Sequence, residues 1–368
     1  MSTAQITDNL QFAYWVPNVS GGLVVSDIGQ TTDWGIDYNR RLAQTAEQVG
    51  FDYALSQVRY LGSYGAESQH ESVSFSLALL EATEKLKVIA AVHPGFWQPA
   101  VLANLATTAS ELYDGRFALN VVSGWLKDEF RKFGEPWLEH DERYRRSGEF
   151  LQVLRAIFAG DHAEFNGDFY RLHDYSISPH PTVAPELFQG GNSSAAQFNG
   201  GHFADWYFLN GAPVDELKLQ IDQVRRHAED AGREVKIGVN GFVILEDTEQ
   251  QAHDKLRDII AQADQGAVEG FAASVKQAGQ STADGKGMWA NSSLEDLVQY
   301  NDGFRTGLIG TADQISDRID ELRNIGADLV LTGHLNFQEE VERFGKEVIT
   351  PLRSDSTAPA VAPAHVNA

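Results

Sequence analysis

The chain has 368 residues, 42% of them hydrophobic, and a formal net charge of -23. One α/β barrel with insertions reaches this length, and so do two smaller domains. So acidic a chain argues against nucleic acid and anionic membranes as partners, because both carry negative charge. The lack of cysteine excludes disulfides, thiolate nucleophiles and cysteine-held metals, which suits a cytoplasmic protein. We expect no membrane-spanning helix, because no apolar run reaches 18 residues, and no signal peptide, because MSTAQITDNL has no basic segment followed by an apolar one.

Short apolar runs that predict β-strands alternate with longer segments of helical spacing. The predicted strands cover 12–16, 52–56, 87–92, 116–122, 186–190, 205–209, 235–245 and 328–332. The predicted helices cover 38–49, 72–85, 99–112, 141–158, 193–199, 215–231, 248–268, 311–324 and 339–352. Turn residues between 165 and 172 indicate a small hairpin outside this pattern.

Strands that are mostly followed by helices predict an α/β fold, a parallel (β/α)8 TIM barrel with insertions. An open doubly wound sheet is the alternative, but no G-x-G-x-x-G motif follows the first strand. We predict a single domain over 1–353. It includes a Gly-, Ser- and Asn-rich insertion at about 270–306, called the insertion segment below. The Ala- and Pro-rich tail over 354–368 predicts disorder.

Functional groups of a barrel gather where its strands end. The fifth predicted strand runs into Gly190-Gly191-Asn192-Ser193 at the start of a helix, where free backbone N–H groups suit a phosphate. Three arginines on the predicted helix over 141–158 are candidates to bind the phosphate, namely Arg143, Arg145 and Arg146. The competing interpretation of the Gly-Gly-Asn-Ser turn is an ordinary helix cap, and that of the arginines is a solvated helix face. Aromatic residues at the expected rim suit a flat phosphorylated cofactor, namely Tyr14, Trp15, Trp97, Trp125, Tyr144 and Trp206.

Other chemistry has weaker signals in the sequence. The histidines show no H-x-H or H-E-x-x-H spacing, so no metal site is expected. Glu67, His70 and Glu71 imitate an acid/base group, but carboxylates on a barrel rim are too common to specify a glycoside hydrolase. Asn120 is an amide inside an apolar strand, and its hydrogen-bond partner is not evident from the sequence.

Four segments carry a resemblance to a known family. FDYALSQVRY, GRFALNVVSGW, HDERYRR and FQGGNSSAA match, in order and spacing, the bacterial luciferase-like family of flavin-dependent monooxygenases, and the likeness covers roughly residues 10 to 353. It is greatest to the two-component enzymes, which use O2 and reduced FMN (FMNH2) from a separate NAD(P)H:FMN reductase. The resemblance therefore implies FMN and O2, a transient reductase partner, and a homodimer or homotetramer.

The resemblance also assigns roles to residues. It implies an FMN site made of Val58, Arg59, Ala91, Asn120, Glu129, Arg143, Tyr144, Gly191 and Ser193. Relatives carry a non-proline cis peptide at the strand end that aligns with Ala90–Ala91–Val92, so one is expected here. Strand-end position suggests a substrate site made of Trp15, His93, Trp125, Asn240 and His334.

The implied reaction is the oxidation of dimethylsulfone, a small neutral organosulfur compound, to methanesulfinate and formaldehyde. The insertion segment would act as a lid that excludes water. An alkanesulfonate such as methanesulfonate is the alternative substrate. It would need a cation, for which Arg305 is the candidate. Another reduced-FMN oxygenase of the family, a binding-only flavoprotein and a non-flavin barrel hydrolase remain further alternatives.

Overall fold

The computed structural model describes residues 10–279, 289 and 292–355. Most of the predicted disordered tail over 354–368 and much of the insertion segment lie outside these residues. Ser354 and Asp355 are described and belong to the last helix, so the prediction of disorder is wrong for these two residues. The strands in the described part are β1 (Gln11–Val16), β2 (Tyr53–Ser56), β3 (Lys87–Val92), β4 (Phe117–Val121), β5 (Ala163–Asn166), β6 (Arg171–Tyr175), β7 (Glu186–Gly190), β8 (Trp206–Leu209), β9 (Lys236–Phe242), β10 (Ile244–Leu245), β11 (Ile309–Gly310) and β12 (Leu329–Gly333).

The α-helices pack around these strands. They are α1 (Ile36–Gln48), α2 (Ser72–Glu81), α3 (Pro99–Leu112), α4 (Lys127–Phe133), α5 (His140–Ala159), α6 (Ser194–Phe203), α7 (Val214–Asp230), α8 (Glu249–Ala261), α9 (Gln265–Gly279), α10 (Ala312–Asn324), α11 (Phe337–Phe344) and α12 (Thr350–Asp355). A π-helical turn, Gly345–Ile349, joins the last two. None of the helices in the described ranges is both long and apolar enough to cross a bilayer.

Eight parallel strands close into a barrel in the order β1-β12-β9-β8-β7-β4-β3-β2. The register between β1 and β12, which starts at Gln11 and Leu329, completes the ring. The predicted (β/α)8 barrel is therefore confirmed. The predicted hairpin is also present, as the antiparallel pair β5 and β6.

Three sequence-based expectations about the backbone are wrong. The segment predicted as one helix over 248–268 forms two helices. The first, α8, ends at Ala261, and the second, α9, continues into the insertion segment. The predicted strand over 235–245 ends at Phe242, because the next strand, β10, pairs with β11 instead of the barrel. The expected cis peptide near Ala91 is absent. The cis bond among the described residues is Ser178-Pro179, and β3 keeps a regular parallel register with β4 as far as Val92.

Side chains alternate along each barrel strand, and this alternation selects the residues of the interior. The inner cluster consists of Ala13, Tyr53, Leu55, Ile89, Ala118, Phe188, Trp206, Phe208, Leu329 and Leu331. One step of two residues further along β4 brings Asn120 to the same interior, at the carboxyl end of the barrel. The same step brings Trp15 on β1 and Ala91 on β3 to that end.

Glu186 on β7 closes the opposite, amino-terminal end of the barrel. Its carboxylate accepts hydrogen bonds from the Tyr53 hydroxyl at 2.9 Å, the Lys87 ammonium at 2.8 Å and the Trp206 indole at 3.0 Å. Burial raises the pKa of Glu186, but these donors outweigh it and hold the pKa below its ordinary value. The cluster ties β2, β3 and β8 to β7.

Replacing Glu186 with Gln is expected to lower the free energy of unfolding by about 1–3 kcal/mol, because charge-assisted hydrogen bonds are lost. The unchanged chain should also lose stability as pH falls below about 4.3, the ordinary pKa of a glutamate, because there the unfolded chain binds a proton that folded Glu186, with its lowered pKa, still excludes. The variant should lack this contribution to the loss. Urea unfolding at several pH values measures both effects. Exposed Glu84→Gln is the control, and equal behaviour of the two variants would contradict the assigned role.

Candidate active site

A cavity opens at the carboxyl ends of the barrel strands. It encloses about 1240 Å3 of empty space, a figure that includes the open mouth of the cavity. Of the sequence-predicted site residues, those that line it are Trp15, Val58, Arg59, Ala91, Asn120, Trp125, Arg143, Tyr144, Gly191 and Asn240. Four others do not line it, namely His93, Glu129, Ser193 and His334.

Asn120 reaches the cavity with an incompletely satisfied amide. The residue is 8% exposed, and its Oδ1 atom has no hydrogen-bond partner among the described residues. An unpaired buried polar group costs about 1–3 kcal/mol, so the position favours a ligand that donates a hydrogen bond. A flavin ring N–H or a ribityl hydroxyl fits this acceptor.

One end of the cavity has the groups that suit a phosphate. Arg143 lines it with 2% exposure, and its guanidinium stacks 4.1 Å from the Trp137 ring centroid. Burial lowers the pKa of Arg143, yet an arginine stays protonated at neutral pH. Gly190 and Gly191 line the same region just before the amino terminus of α6, where backbone N–H groups favour anions.

Gly191 allows this loop to approach α5 and α6 closely. Its φ angle is +146°, and a Cβ atom there would lie 2.6 Å from the Tyr144 hydroxyl and 2.7 Å from the Ala196 Cβ. Ser193 caps α6, because its Oγ accepts a hydrogen bond from the Ala196 N–H at 3.3 Å. The Ser193 hydroxyl therefore acts as an ordinary helix cap. The backbone N–H groups beside it remain suited to an anion.

The predicted cluster of three arginines is divided between different surroundings. Only Arg143 of the three lines the cavity. Arg145 is about half exposed and pairs with Asp168 on the hairpin loop. Arg146 is buried, with its guanidinium 5.5 Å from the Phe130 ring centroid. Arg145 and Arg146 are adjacent on α5 and therefore point in different directions, whereas Arg143 and Arg146 are three residues apart on one face and contact different aromatic rings.

Arg59, just after β2, is a buried cation on the cavity wall. It is 6% exposed and lies between aromatic faces, 5.3 Å from the Trp125 ring centroid and 5.0 Å from that of Tyr300. Its Nη1 donates a hydrogen bond to the Ser63 carbonyl at 3.0 Å.

Gly124, with a φ angle of +94°, forms the turn that precedes Trp125, and a Cβ there would lie 2.8 Å from the Phe130 ring.

Glu129 and His93 form a buried pair behind the cavity wall. Each side chain is 1% exposed, and His93 Nε2 lies 3.6 Å from Glu129 Oε2. The other oxygen of Glu129 accepts from the backbone N–H groups of Tyr60 and Leu61, at 2.6 and 3.2 Å. Since a carbonyl only accepts, His93 Nδ1 donates to the Val122 carbonyl at 2.8 Å. The pair thus connects the loop after β2 with the ends of β3 and β4.

Two predicted substrate residues are buried away from the cavity. Burial lowers the pKa of His93, although the Glu129 carboxylate opposes this effect. Burial also lowers the pKa of His334 to about 3, so its ring is neutral, and Nε2 lies 3.0 Å from the Thr332 hydroxyl. Neither imidazole therefore lines the cavity among the described residues, although both remain predicted substrate residues. Asn240 does line the cavity, and its Oδ1 accepts from the Trp15 indole at 2.7 Å.

The predicted aromatic rim is partly wrong. Tyr14 points outward to Phe51, Trp206 lies at the Glu186 end of the barrel, and Trp97 is not part of the cavity wall. Sequence reasoning missed the aromatic residues that α9 and the insertion segment add to the wall. The missed residues are Phe271, Trp289 and Tyr300. The sequence signal that could have identified them is the presence of aromatic residues inside a Gly- and Ser-rich segment.

These features define a parallel barrel with a cavity at the carboxyl ends of its strands, where a cation and a helix amino terminus suit a phosphate. The family described as luciferase-like monooxygenase matches residues 10–329, and the chain belongs to this family. The structure of DmoA from Hyphomicrobium sulfonivorans shares the fold, with a TM-score of 0.76 and 20% identity over 97% of this chain and 90% of that one.

Two curated relatives are much more similar in sequence. The FMNH2-dependent dimethylsulfone monooxygenase of Pseudomonas putida is 58% identical over 346 residues, 94% of this chain and 95% of the relative. The enzyme of the same name from Pseudomonas fluorescens (strain Pf0-1) is 57% identical over 344 residues, 94% of both chains.

Replacing Glu129 with Ala is expected to lower the free energy of unfolding by about 2–4 kcal/mol, because the two N–H donors of the loop after β2 lose their acceptor. Glu129→Gln keeps an oxygen for those donors and should cost less than about half as much. Urea unfolding measures both values. Equal losses in the two variants would show that the backbone bonds are not what Glu129 contributes.

Proposed function

We propose that this chain is an FMNH2-dependent monooxygenase that oxidises dimethylsulfone to methanesulfinate and formaldehyde. The observation that carries the proposal is the 58% identity to a dimethylsulfone monooxygenase across almost the full length of both chains. The cavity adds independent support, since it offers a phosphate end and an unsatisfied acceptor at Asn120. A separate flavin reductase supplies the reduced cofactor.

The residues present fit FMN in outline. Arg143, Tyr144 and the start of α6 would hold the phosphate, and Asn120 would accept a hydrogen bond from the ring or the ribityl chain. When bound, reduced FMN supplies the two electrons with which O2 is activated. The overall reaction balances as dimethylsulfone, O2 and FMNH2 giving methanesulfinic acid, formaldehyde, FMN and water.

The protein contributes orientation and the exclusion of water. Trp125, Phe271 and Trp289 contact one another in edge-to-face pairs, at centroid distances of 5.5 to 6.4 Å, and form an apolar wall. Such a wall protects a reactive oxygen species from hydrolysis and misdirected proton transfer. The Trp15–Asn240 hydrogen bond fixes the orientation of the polar groups on another part of the wall.

The geometry does not support the residues that the sequence offered for hydrolysis and for sulfonate binding. Glu71 is the cap of α2, since its carboxylate accepts from the N–H groups of Val73 and Ser74, so it is not a free acid for hydrolysis. Arg305, the candidate cation for a sulfonate, lies outside the cavity wall and pairs with Glu216 at 3.2 Å. One observation favours an alkanesulfonate as a second candidate, because Arg59 brings a cation to the wall.

Helices α2 and α3 support the proposed homo-oligomer. Positions 72–80 and 99–110 contain no charged residue, although the chain as a whole is strongly acidic. Val101 is 60% exposed and Leu112 is 68% exposed on the outer side of α3. An uncharged helical surface with exposed aliphatic residues favours contact between two copies over contact with water.

The proposed activity is tested by supplying the purified chain with an FMN reductase, NADH, FMN, O2 and dimethylsulfone. We expect methanesulfinate and formaldehyde in equal amounts, identified by mass spectrometry, and none without reductase. Methanesulfonate and longer alkanesulfonates are tested in parallel. Sulfonate turnover without sulfone turnover would select the second candidate, and no product from either class would overturn the proposal.

The proposed oligomer is tested with Val101→Glu. The variant is expected to shift the sedimentation coefficient toward that of a monomer, because a charge at this position opposes contact between two α3 surfaces. Leu219→Glu is the matched control, since Leu219 is 70% exposed on α7 among charged neighbours. A monomeric wild-type chain, or the same shift in both variants, would contradict the proposed surface.

A further inference from the structure

Charge is distributed unevenly between the surface and the cavity. The chain has 52 acidic side chains, yet none of the described residues that line the cavity is acidic. The arginines on that wall are Arg59 and Arg143. Arg143 interacts with the carboxylates of Glu139 and Asp141, whereas none of the ion pairs among the described residues involves Arg59. A buried cation of the second kind is electrostatically costly, so its position favours a ligand that carries negative charge or strong acceptor oxygens.

The two arginines belong to different parts of the wall. Arg143 lies at the phosphate end, beside the loops that follow β4 and β7. Arg59 follows β2, which is three strand positions from β7 in the barrel order, or roughly 14 Å along the wall at usual strand spacing. One phosphate therefore does not account for both cations.

The surroundings of Arg59 leave donors available. Its guanidinium donates to the Ser63 carbonyl and interacts with the Tyr300 hydroxyl, while Trp125 and Tyr300 cover its faces. A guanidinium carries five N–H donors in a rigid planar fork. The Ser63 carbonyl and the Tyr300 hydroxyl occupy only part of this fork, so its remaining N–H groups are suited to two oxygens on one ligand atom.

We propose that Arg59 binds the sulfonyl oxygens of the substrate and retains the sulfinate product. The proposal rests on the proposed function, whose substrate and product both carry two oxygens on one sulfur. Dimethylsulfone is neutral and methanesulfinate is an anion, so the cation binds the product more tightly than the substrate. Arg59 is thus the residue that determines specificity for the oxidised sulfur, and methanesulfinate competes with dimethylsulfone.

The experiment compares Arg59→Met, Arg59→Lys and Arg143→Lys in the full chain. Calorimetry measures methanesulfinate binding to the protein with saturating FMN, and flavin fluorescence measures FMN binding. In Arg59→Met the sulfinate dissociation constant should rise roughly 10- to 100-fold, the change expected when a hydrogen bond to a charged group is lost. FMN affinity should stay the same. Arg59→Lys, which keeps the charge but loses the fork, should give an intermediate rise.

Arg143→Lys should show the opposite pattern, with weaker FMN binding and unchanged sulfinate binding once FMN is saturating. Steady-state kinetics adds a second readout, a higher KM for dimethylsulfone in Arg59→Met and loss of competitive inhibition by methanesulfinate. Weaker FMN binding with unchanged sulfinate binding in the Arg59 variants would overturn the proposal and make Arg59 a flavin residue. Because calorimetry needs no turnover, it tests Arg59 separately from the activity assay.

Discussion

The site depends on the alternation of side chains along strands that all end at one rim. In a closed parallel barrel every second residue faces the interior, and the last such residue on each strand reaches the carboxyl end. Ala118 fills the core, and Asn120 two residues later faces the cavity. Similar steps bring Trp15 and Asn240 to the same end, where they hydrogen-bond to each other across strands that are far apart in sequence.

The buried carboxylate of Glu129 supports this arrangement from outside the cavity wall. Glu129 holds two N–H groups of the loop that follows Arg59, and its neighbour His93 holds the backbone just after β4. The loops after β2 and β4 are therefore held by interactions that do not line the cavity. This explains how an active-site wall built from loops can orient Arg59 and Trp125, and why a polar motif residue can matter without contacting a ligand.

The sequence predicted the barrel, most element boundaries and much of the cavity wall, but it misplaced several polar residues. His93 and His334 follow strands, as catalytic histidines often do, yet each side chain is turned into the protein. Arg143 and Arg146 look equivalent in HDERYRR but face different surroundings on α5. The position of a residue at a strand end identifies the loop to which it belongs. The direction of its side chain depends on tertiary packing, which the sequence does not show.

The sequence alone determined the repeating strand–helix order, the uncharged stretches 72–80 and 99–110, and the family motifs, because periodicity and composition are local properties. Only the tertiary structure decided which cations lie on the cavity wall. Arg59 reaches it between Trp125 and Tyr300, whereas Arg305 is drawn to Glu216. Those partners are distant in the chain, and the folded backbone alone brings them together.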